Sequence, residues 1–407
     1  MKTIDEKNII QLTQTFGDSF YVLDTDVFIS NYNELLKAFK AYYPKTNIAY
    51  SYKTNYIPKL IKTVNDLGGF AEVVSEMELD LALKINMPKS KIVWNGPIKN
   101  KNRLLPFLLE GGTVNVDSLS ELQYIKNNLR ESDNVNIGLR CNFDVGDGVV
   151  SRFGFDVDGC DFLEALTIIK STPNMNLIAL QVHFARRDPQ YWSKRAQGII
   201  DIYRKIEEKY ELHPKCIDLG GGMSGKIPET LRNQLKLDDI KYDDYASQAA
   251  KLFAKTFKDD KNAPWLFIEP GTAIAASSMR YVCKVEAIKK VRNKTIITTN
   301  GSQKNISMSG INPPMSVIRL SKDSKEYHDA DIAGYTCIES DYLFKGYTGE
   351  IGVGDYLIFE SCGSYSVVMK PPFILPNVSV IDISGSNPEL IKTAERFNNI
   401  FSTYIFD

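Results

Sequence analysis

Short apolar runs alternate with longer amphipathic stretches along the first two-thirds of the chain. IAYSYK (48–53) reads as a buried strand. Ile57, Leu60, Ile61, Val64 and Leu67 follow at helical spacing, with Asn55 as a cap and Gly68-Gly69 closing the helix. FAEVVS (70–75) is the next strand, and Ser75 with Glu78 has the spacing of a capping box. KIVWNG (91–96) leads into a helix around 99–110. TVNVDS (113–118) leads into a second box, Ser118 with Glu121, followed by Leu122, Ile125 and Leu129. NVNIGLR (134–140), LIALQVHF (177–184), CIDLGGG (216–222) and LFIEPG (266–271) complete eight strands, with a helix predicted between each pair. Eight strand–helix alternations over about 250 residues predict an α/β fold, a (β/α)8 TIM barrel.

Beyond residue 280 the periodicity changes. YVCKVEAI (281–288), TIITTN (295–300), GYTCIE (334–339), DYLIFES (355–361) and SVVM (366–369) read as strands separated by turn residues. Helical spacing returns only at 388–400. The pattern predicts a C-terminal all-β domain beginning near residue 274, packed closely on the barrel because no flexible linker marks the boundary.

Composition narrows the function. The 407 residues carry 49 Lys plus Arg against 50 Asp plus Glu, a net charge of −1, which gives no electrostatic case for nucleic acid or a membrane surface. The six cysteines form no C-x-x-C pair and have no histidine at metal-ligand spacing, so neither a metal site nor a disulfide framework is expected. MKTIDEKNII carries acids where a signal peptide needs an apolar run, and no stretch reaches the roughly 20 apolar residues of a membrane helix. A reduced, cytoplasmic, soluble protein is expected.

In such a barrel, chemistry sits at the C-terminal ends of the strands. Lys53 ends the first predicted strand, Glu72 lies in the second and Asn95 ends the third. Arg140, His183, Gly220-Gly221-Gly222 and Glu269 end the fifth to eighth. Each has an ordinary explanation alone: a solvated lysine, a core-edge histidine, a salt-bridge arginine, a tight turn, an acidic turn residue. Gly220, Gly222 and Gly225 also satisfy G-x-G-x-x-G. A dinucleotide fingerprint, however, follows the first strand and opens a helix, whereas Lys226-Ile227-Pro228 intervenes here. A phosphate cradle after the seventh strand is the better reading. Together these parts suit pyridoxal phosphate: a lysine whose amine a desolvated mouth keeps partly deprotonated, a carboxylate for the ring nitrogen, a flat imidazole for the ring face and a glycine turn for the phosphate.

The ordered motifs DSFYVLDTD (18–26), YSYKTN (50–55), AEVVSEMEL (71–79), NGPIK (95–99), VNVDSLSEL (114–122), LRCN (139–142) and SRFGF (151–155) continue through VHF, DLGGG, EPG, GYTCIESD (334–341) and VGDYLIFESCGSY (353–365). In these the chain resembles the alanine-racemase-like (fold type III) pyridoxal-phosphate enzymes, and within them the diaminopimelate/ornithine/arginine decarboxylase family. The resemblance implies a barrel over 23–273 and a β domain over 274–407 that residues 1–22 join. It implies that Lys53 is the Schiff-base lysine, that His183 stacks on the pyridine ring and that Glu269 pairs with the ring nitrogen. Gly220 to Gly222, with Tyr365, would hold the phosphate. Glu72, Glu78 and Arg140 are further candidates around the cofactor, as are Gly271 and Thr272 of the E-P-G-x run. Cys337 matches the cysteine that a partner subunit inserts to protonate Cα after CO2 leaves. Active sites would thus be shared in a homodimer, with an amino acid as the small-molecule substrate.

Three departures qualify this. Thr272 stands where the family usually has a phosphate-binding arginine, and Ala185-Arg186 where it usually has Gly-Ser; Arg186 is the candidate replacement at the phosphate, and Arg187 a candidate for a substrate carboxylate. Ile338 follows Cys337 where relatives acting on diamino substrates place an acid. Ile338, Glu339 and Asp341 are the substrate-side candidates, and a free diamino acid is expected to be a poor substrate, although Glu339 could restore the acid by a one-residue shift. Lys370-Pro371-Pro372-Phe373 stands in place of the family's F-N-G run. A racemase or epimerase, and a catalytically silent cofactor-fold protein, stay open as alternatives to a decarboxylase.

Overall fold

The computed structural model describes residues 2–308 and 310–406. After β1 (Phe20–Leu23) come β2 (Thr46–Ser51), β3 (Phe70–Val73), β4 (Ile92–Trp94), β5 (Thr113–Val116), β6 (Val135–Asn142), the two-residue β7 (Phe155–Asp156), β8 (Met175–Gln181), β9 (Cys216–Asp218) and β10 (Trp265–Ile268). β2-β3-β4-β5-β6-β8-β9-β10 pair in parallel, and β10 closes on β2 through Leu266↔Thr46 to Ile268↔Ile48. The eight-strand barrel is as expected. Its strands are buried on both faces, because barrel interior and outer helices each cover one, so they read as near-continuous apolar runs. Register lifts successive strand ends around one mouth: Ser51 pairs with Glu72, and Glu72 with Val93.

Local details differ from the sequence expectations. The first strand stops at Ser51, and Tyr52–Thr54 form a 3-10 turn that carries Lys53. Ser75 and Ser118 accept the N–H groups of Glu78 and Glu121, but the returning carboxylates take the N–H of Val74 and Asp117, one residue before each cap. Ile57 rather than Asn55 caps the first barrel helix, with Pro58 at its first position.

The chain divides into two compact units: Asn31–Ser224 with Ile240–Ala273, which holds the barrel, and the segment up to Ser30, Gly225–Asp239 and the segment from Ile274 onward. The second unit contains β1 and the remaining strands: β11 (Met279–Val291), β12 (Lys294–Thr299), β13 (Met315–Ile318), β14 (Lys325–Ala333), β15 (Tyr342–Ile351), β16 (Tyr356–Phe359), β17 (Ser379–Asp382) and β18 (Glu389–Lys392). β1 is sandwiched between β11, antiparallel, and β17, parallel. Ile9 and Leu12 of the helix Glu6–Phe16 pack with Phe20, Val282, Ile358 and Ile381.

Three expected elements of this unit are replaced. GYTCIE is a loop between β14 and β15, because hydrogen bonds to Asp341 take the place of a strand ladder. SVVM is a turn, entered through a left-handed Tyr365 (φ 63°), which an extended strand cannot contain. The helical spacing at 388–400 yields β18, held by pairing with β17, and only the short helix Phe397–Phe401. Among the described residues no helix is long and apolar enough to cross a membrane.

Candidate active site

Lys53 projects from its 3-10 turn with its side chain 36% exposed and pairs with the buried Glu72 Oε2. Ser51 Oγ donates to the same oxygen at 2.6 Å. Burial disfavours the Lys53 ammonium, but Glu72, Glu269 and Glu78 outweigh it and hold its pKa above the ordinary value. The expected partly deprotonated amine is thus reversed: the mouth is desolvated, yet it holds more acid than base. Burial likewise penalises the Glu72 carboxylate, but Lys53 together with hydrogen bonds from Ser51 and Asn95 keeps its pKa low.

Glu269, just past β10, is also buried. Asn95 Nδ2 donates to its Oε1 at 2.5 Å and Gln181 Nε2 to its Oε2 at 3.3 Å. Its side chain is hydrogen-bonded to that of Asp218, which requires a proton on one of the two carboxyls. Burial first, then repulsion from Asp218 and Glu72, raises Glu269 well above the carboxylate range. Burial also raises Asp218, to about 6. Four buried acids (Glu72, Glu78, Asp218 and Glu269) thus surround one lysine.

The glycine run is shaped by its surroundings. Gly220 has φ 69°, and a Cβ there would lie 2.3 Å from Val182 O; on Gly221 it would lie 2.4 Å from Glu269 O. The Gly220 N–H donates to Asp218 Oδ1 at 2.8 Å and the Gly221 N–H to His183 Nδ1 at 3.0 Å. Two of the three expected anion donors are therefore committed to side chains. Arg195, fully buried on the helix Gln190–Tyr210, donates to Leu219 O, Gly221 O and Phe184 O at 2.9, 2.7 and 3.1 Å. Burial, then Arg195, Lys53 and Arg140, depress the His183 pKa well below normal, so the imidazole is neutral with its proton on Nε2. No helix opens on the run; the next begins at Glu229.

Other candidates are spread around the mouth. Gly271 leaves room for Thr54, whose Oγ1 would lie 1.9 Å from a Cβ there, and Thr272 begins the short helix Thr272–Ala275. Arg140 is buried 3.7 Å from Asp117, with Phe153 stacked on it at 4.5 Å. Arg186 is exposed and donates to Asp147 O at 3.2 Å; Arg187 is exposed too. Glu78 is buried, and burial pushes it up to about 7 although Val74 N–H donates to it.

In the other unit, Cys337 is an exposed free thiol on the loop after β14. Ile338 and Glu339 beside it are exposed. Asp341 is buried and accepts from Ser302 Oγ at 3.0 Å, Gln303 N–H at 2.8 Å and Thr336 Oγ1 at 2.6 Å, so it builds the loop rather than presenting a free carboxylate. Tyr365 is half-buried, and the Ser364 and Ser366 hydroxyls beside it are buried without a hydrogen-bond partner among the described residues. A Cβ on Gly363 would lie 1.8 Å from Ala275 O, which fixes this loop against the residues just after Thr272.

Sequence reasoning did not assign roles to Asn95, Gln181, Arg195 or Asp218. Asn95 and Asp218 stand in quoted motifs at strand ends, a usable signal. Gln181 reads as part of an apolar strand and Arg195 as one more charge on an amphipathic helix, so neither carried any.

A family model described as "Pyridoxal-dependent decarboxylase, pyridoxal binding domain" matches residues 29–276. Diaminopimelate decarboxylase from Methanocaldococcus jannaschii is 26% identical over 90% of this chain and 86% of that protein. L-glutamyl-[BtrI acyl-carrier protein] decarboxylase from Niallia circulans is 25% identical over 99% of this chain and 97% of that protein. The solved structure of the Methanocaldococcus jannaschii enzyme in co-complex with L-lysine superposes with a TM-score of 0.87 at 23% identity, covering 98% of this chain and 94% of that one, and thus shares its fold.

Proposed function

The chain belongs to the pyridoxal-dependent decarboxylases, with pyridoxal phosphate as cofactor, and on that premise we propose that its substrate is an amino acid, or an amino-acid derivative, without a free side-chain amine. The observation that carries this is Ile338, an apolar residue beside the Cys337 thiol where diamino-acid relatives place an acid. A sec-butyl side chain cannot neutralise an ammonium, so a distal amine gains no ion-pair partner at this position. The glutamyl-carrier decarboxylase of Niallia circulans gives the reading a precedent. Diaminopimelate, named for other relatives, is the rival substrate.

When bound, pyridoxal phosphate supplies the electron sink for breaking the bond to the leaving carboxylate. Lys53 Nζ would hold the cofactor's aldehyde carbon, and Glu72, its ion-pair partner, would keep the lysine amine in place. Glu269 would accept a hydrogen bond from the protonated ring nitrogen and so keep that ring cationic. The neutral His183 would face the ring. The Gly222 end of the turn and Tyr365 would take the phosphate, since the Gly220 and Gly221 N–H groups serve Asp218 and His183; Arg186 would replace the cation missing at Thr272, and Arg187 would meet a substrate carboxylate. Cys337 of a second copy returns a proton to Cα, which makes the homodimer the active form. The test is a CO2-release screen over amino acids with acidic, amide, apolar and amine side chains, using Lys53→Ala as the blank.

A further inference from the structure

Asn95 lies at the end of β4, 3% exposed, between the two carboxylates given separate duties above. Its Nδ2 donates one hydrogen to Glu72 Oε1 at 3.0 Å and the other to Glu269 Oε1 at 2.5 Å. Its Oδ1 accepts from Asn115 Nδ2 at 2.8 Å, and Asn115 projects from the neighbouring β5. An amide nitrogen has two hydrogens, and here both are used. The reverse orientation would aim Oδ1 at two carboxylates and Nδ2 at a donor, so the hydrogen-bond pattern admits one orientation only.

We propose that Asn95 is a positioning residue for the cofactor: it clamps Glu72, the counter-ion of Lys53, to Glu269, and so holds the groups serving opposite ends of the cofactor as one rigid, charge-coupled unit. This rests on the assignment of Glu269 to the ring nitrogen. The clamp has two physical effects. Each carboxylate receives a fixed donor in a buried site, where a hydrogen bond to a charged group is worth more than on the surface. The two N–H bonds also fix the facing oxygens of a low-pKa carboxylate, Glu72, and of Glu269, which burial, Asp218 and Glu72 push toward its neutral form. Rotating either carboxylate breaks its bond to Asn95, so a shift at the lysine end is felt at the ring end.

The prediction separates this from a role in folding alone. The wild-type full-length chain, N95A, N95D and E269Q, each stripped of cofactor, are titrated with pyridoxal phosphate by visible absorbance between about pH 6 and pH 9, and the thermal unfolding of each stripped protein is recorded. Loss of both bonds from Nδ2 makes N95A bind about tenfold to a hundredfold more weakly at every pH. N95D adds a third carboxylate between two others; it binds more weakly still at the alkaline end and recovers toward N95A as the pH falls and one carboxyl takes up a proton. If N95A binds as wild type, or if N95D shows no recovery at low pH, the clamp is overturned, whatever happens to unfolding temperature. E269Q distinguishes the two levels of the argument. Wild-type affinity in E269Q removes the ring-nitrogen assignment itself; weak binding in E269Q with wild-type binding in N95A removes only the clamp.

Discussion

The His183 ring accepts the Gly221 N–H through Nδ1 at 3.0 Å, pinning the segment after β8 to the turn after β9. A protonated imidazole has no lone pair for this bond, and burial with three nearby cations keeps the ring neutral. His183→Ala leaves a buried N–H without an acceptor. The stripped protein should lose about 1–3 kcal/mol of unfolding free energy by denaturant titration, and cofactor affinity should fall with it.

Glu78 gives the apoprotein a pH dependence of defined sign. Its carboxyl titrates at about 7 in the folded chain against an ordinary 4.5, and it is almost wholly buried. Between those values the folded state binds more protons than the unfolded one, so stability falls as pH rises through this window. The loss from this group is roughly 3 kcal/mol once the window is passed. Glu78→Gln keeps an acceptor for the Val74 N–H and should flatten the dependence; denaturant unfolding at about pH 5 and pH 8 measures it.

Gly221→Ala tests the glycine turn by shape alone. The added methyl would meet the Glu269 carbonyl oxygen at 2.4 Å, a backbone atom with little freedom to move. Overpacking of this kind costs about 1–3 kcal/mol. Because Glu269 shifts with its carbonyl, cofactor affinity should drop more steeply than the unfolding temperature, which parallel titration and thermal melts would show.

The eight barrel strands were legible because parallel strands covered on both faces leave uninterrupted apolar runs, and the polar residue ending each run marked the mouth. Lys53, Glu72, His183 and Glu269 were found in this way, and the structure gathers them in the barrel unit. What escaped depends on long-range contact. Arg195 supports the glycine turn from a helix whose sequence shows only amphipathic spacing. The charge state of Lys53 reversed because Glu72, Glu269 and Glu78 come from three different segments. In the β unit, G-Y-T-C-I-E has strand composition, but Asp341 draws Thr336, Ser302 and Gln303 onto its carboxylate and makes a loop instead.

Substrate choice turns on the residue next to Cys337. Ile338→Glu places an acid on an exposed loop position without disturbing the bonds to Asp341. The variant should gain about twofold to fivefold in kcat/KM for ornithine or lysine relative to wild type, the equivalent of one exposed ion pair. Steady-state assays of both proteins on both substrates measure the change.

The central claim is tested most directly by CO2 release from the purified, cofactor-loaded enzyme, offered free amino acids with acidic, amide and apolar side chains, a carrier-linked glutamyl group and four amino acids with a cationic distal group: meso-diaminopimelate, lysine, ornithine and arginine. The account predicts release from a substrate without a side-chain amine, and none from any substrate with Lys53→Ala. Efficient release from one of those four by the wild-type enzyme would contradict it.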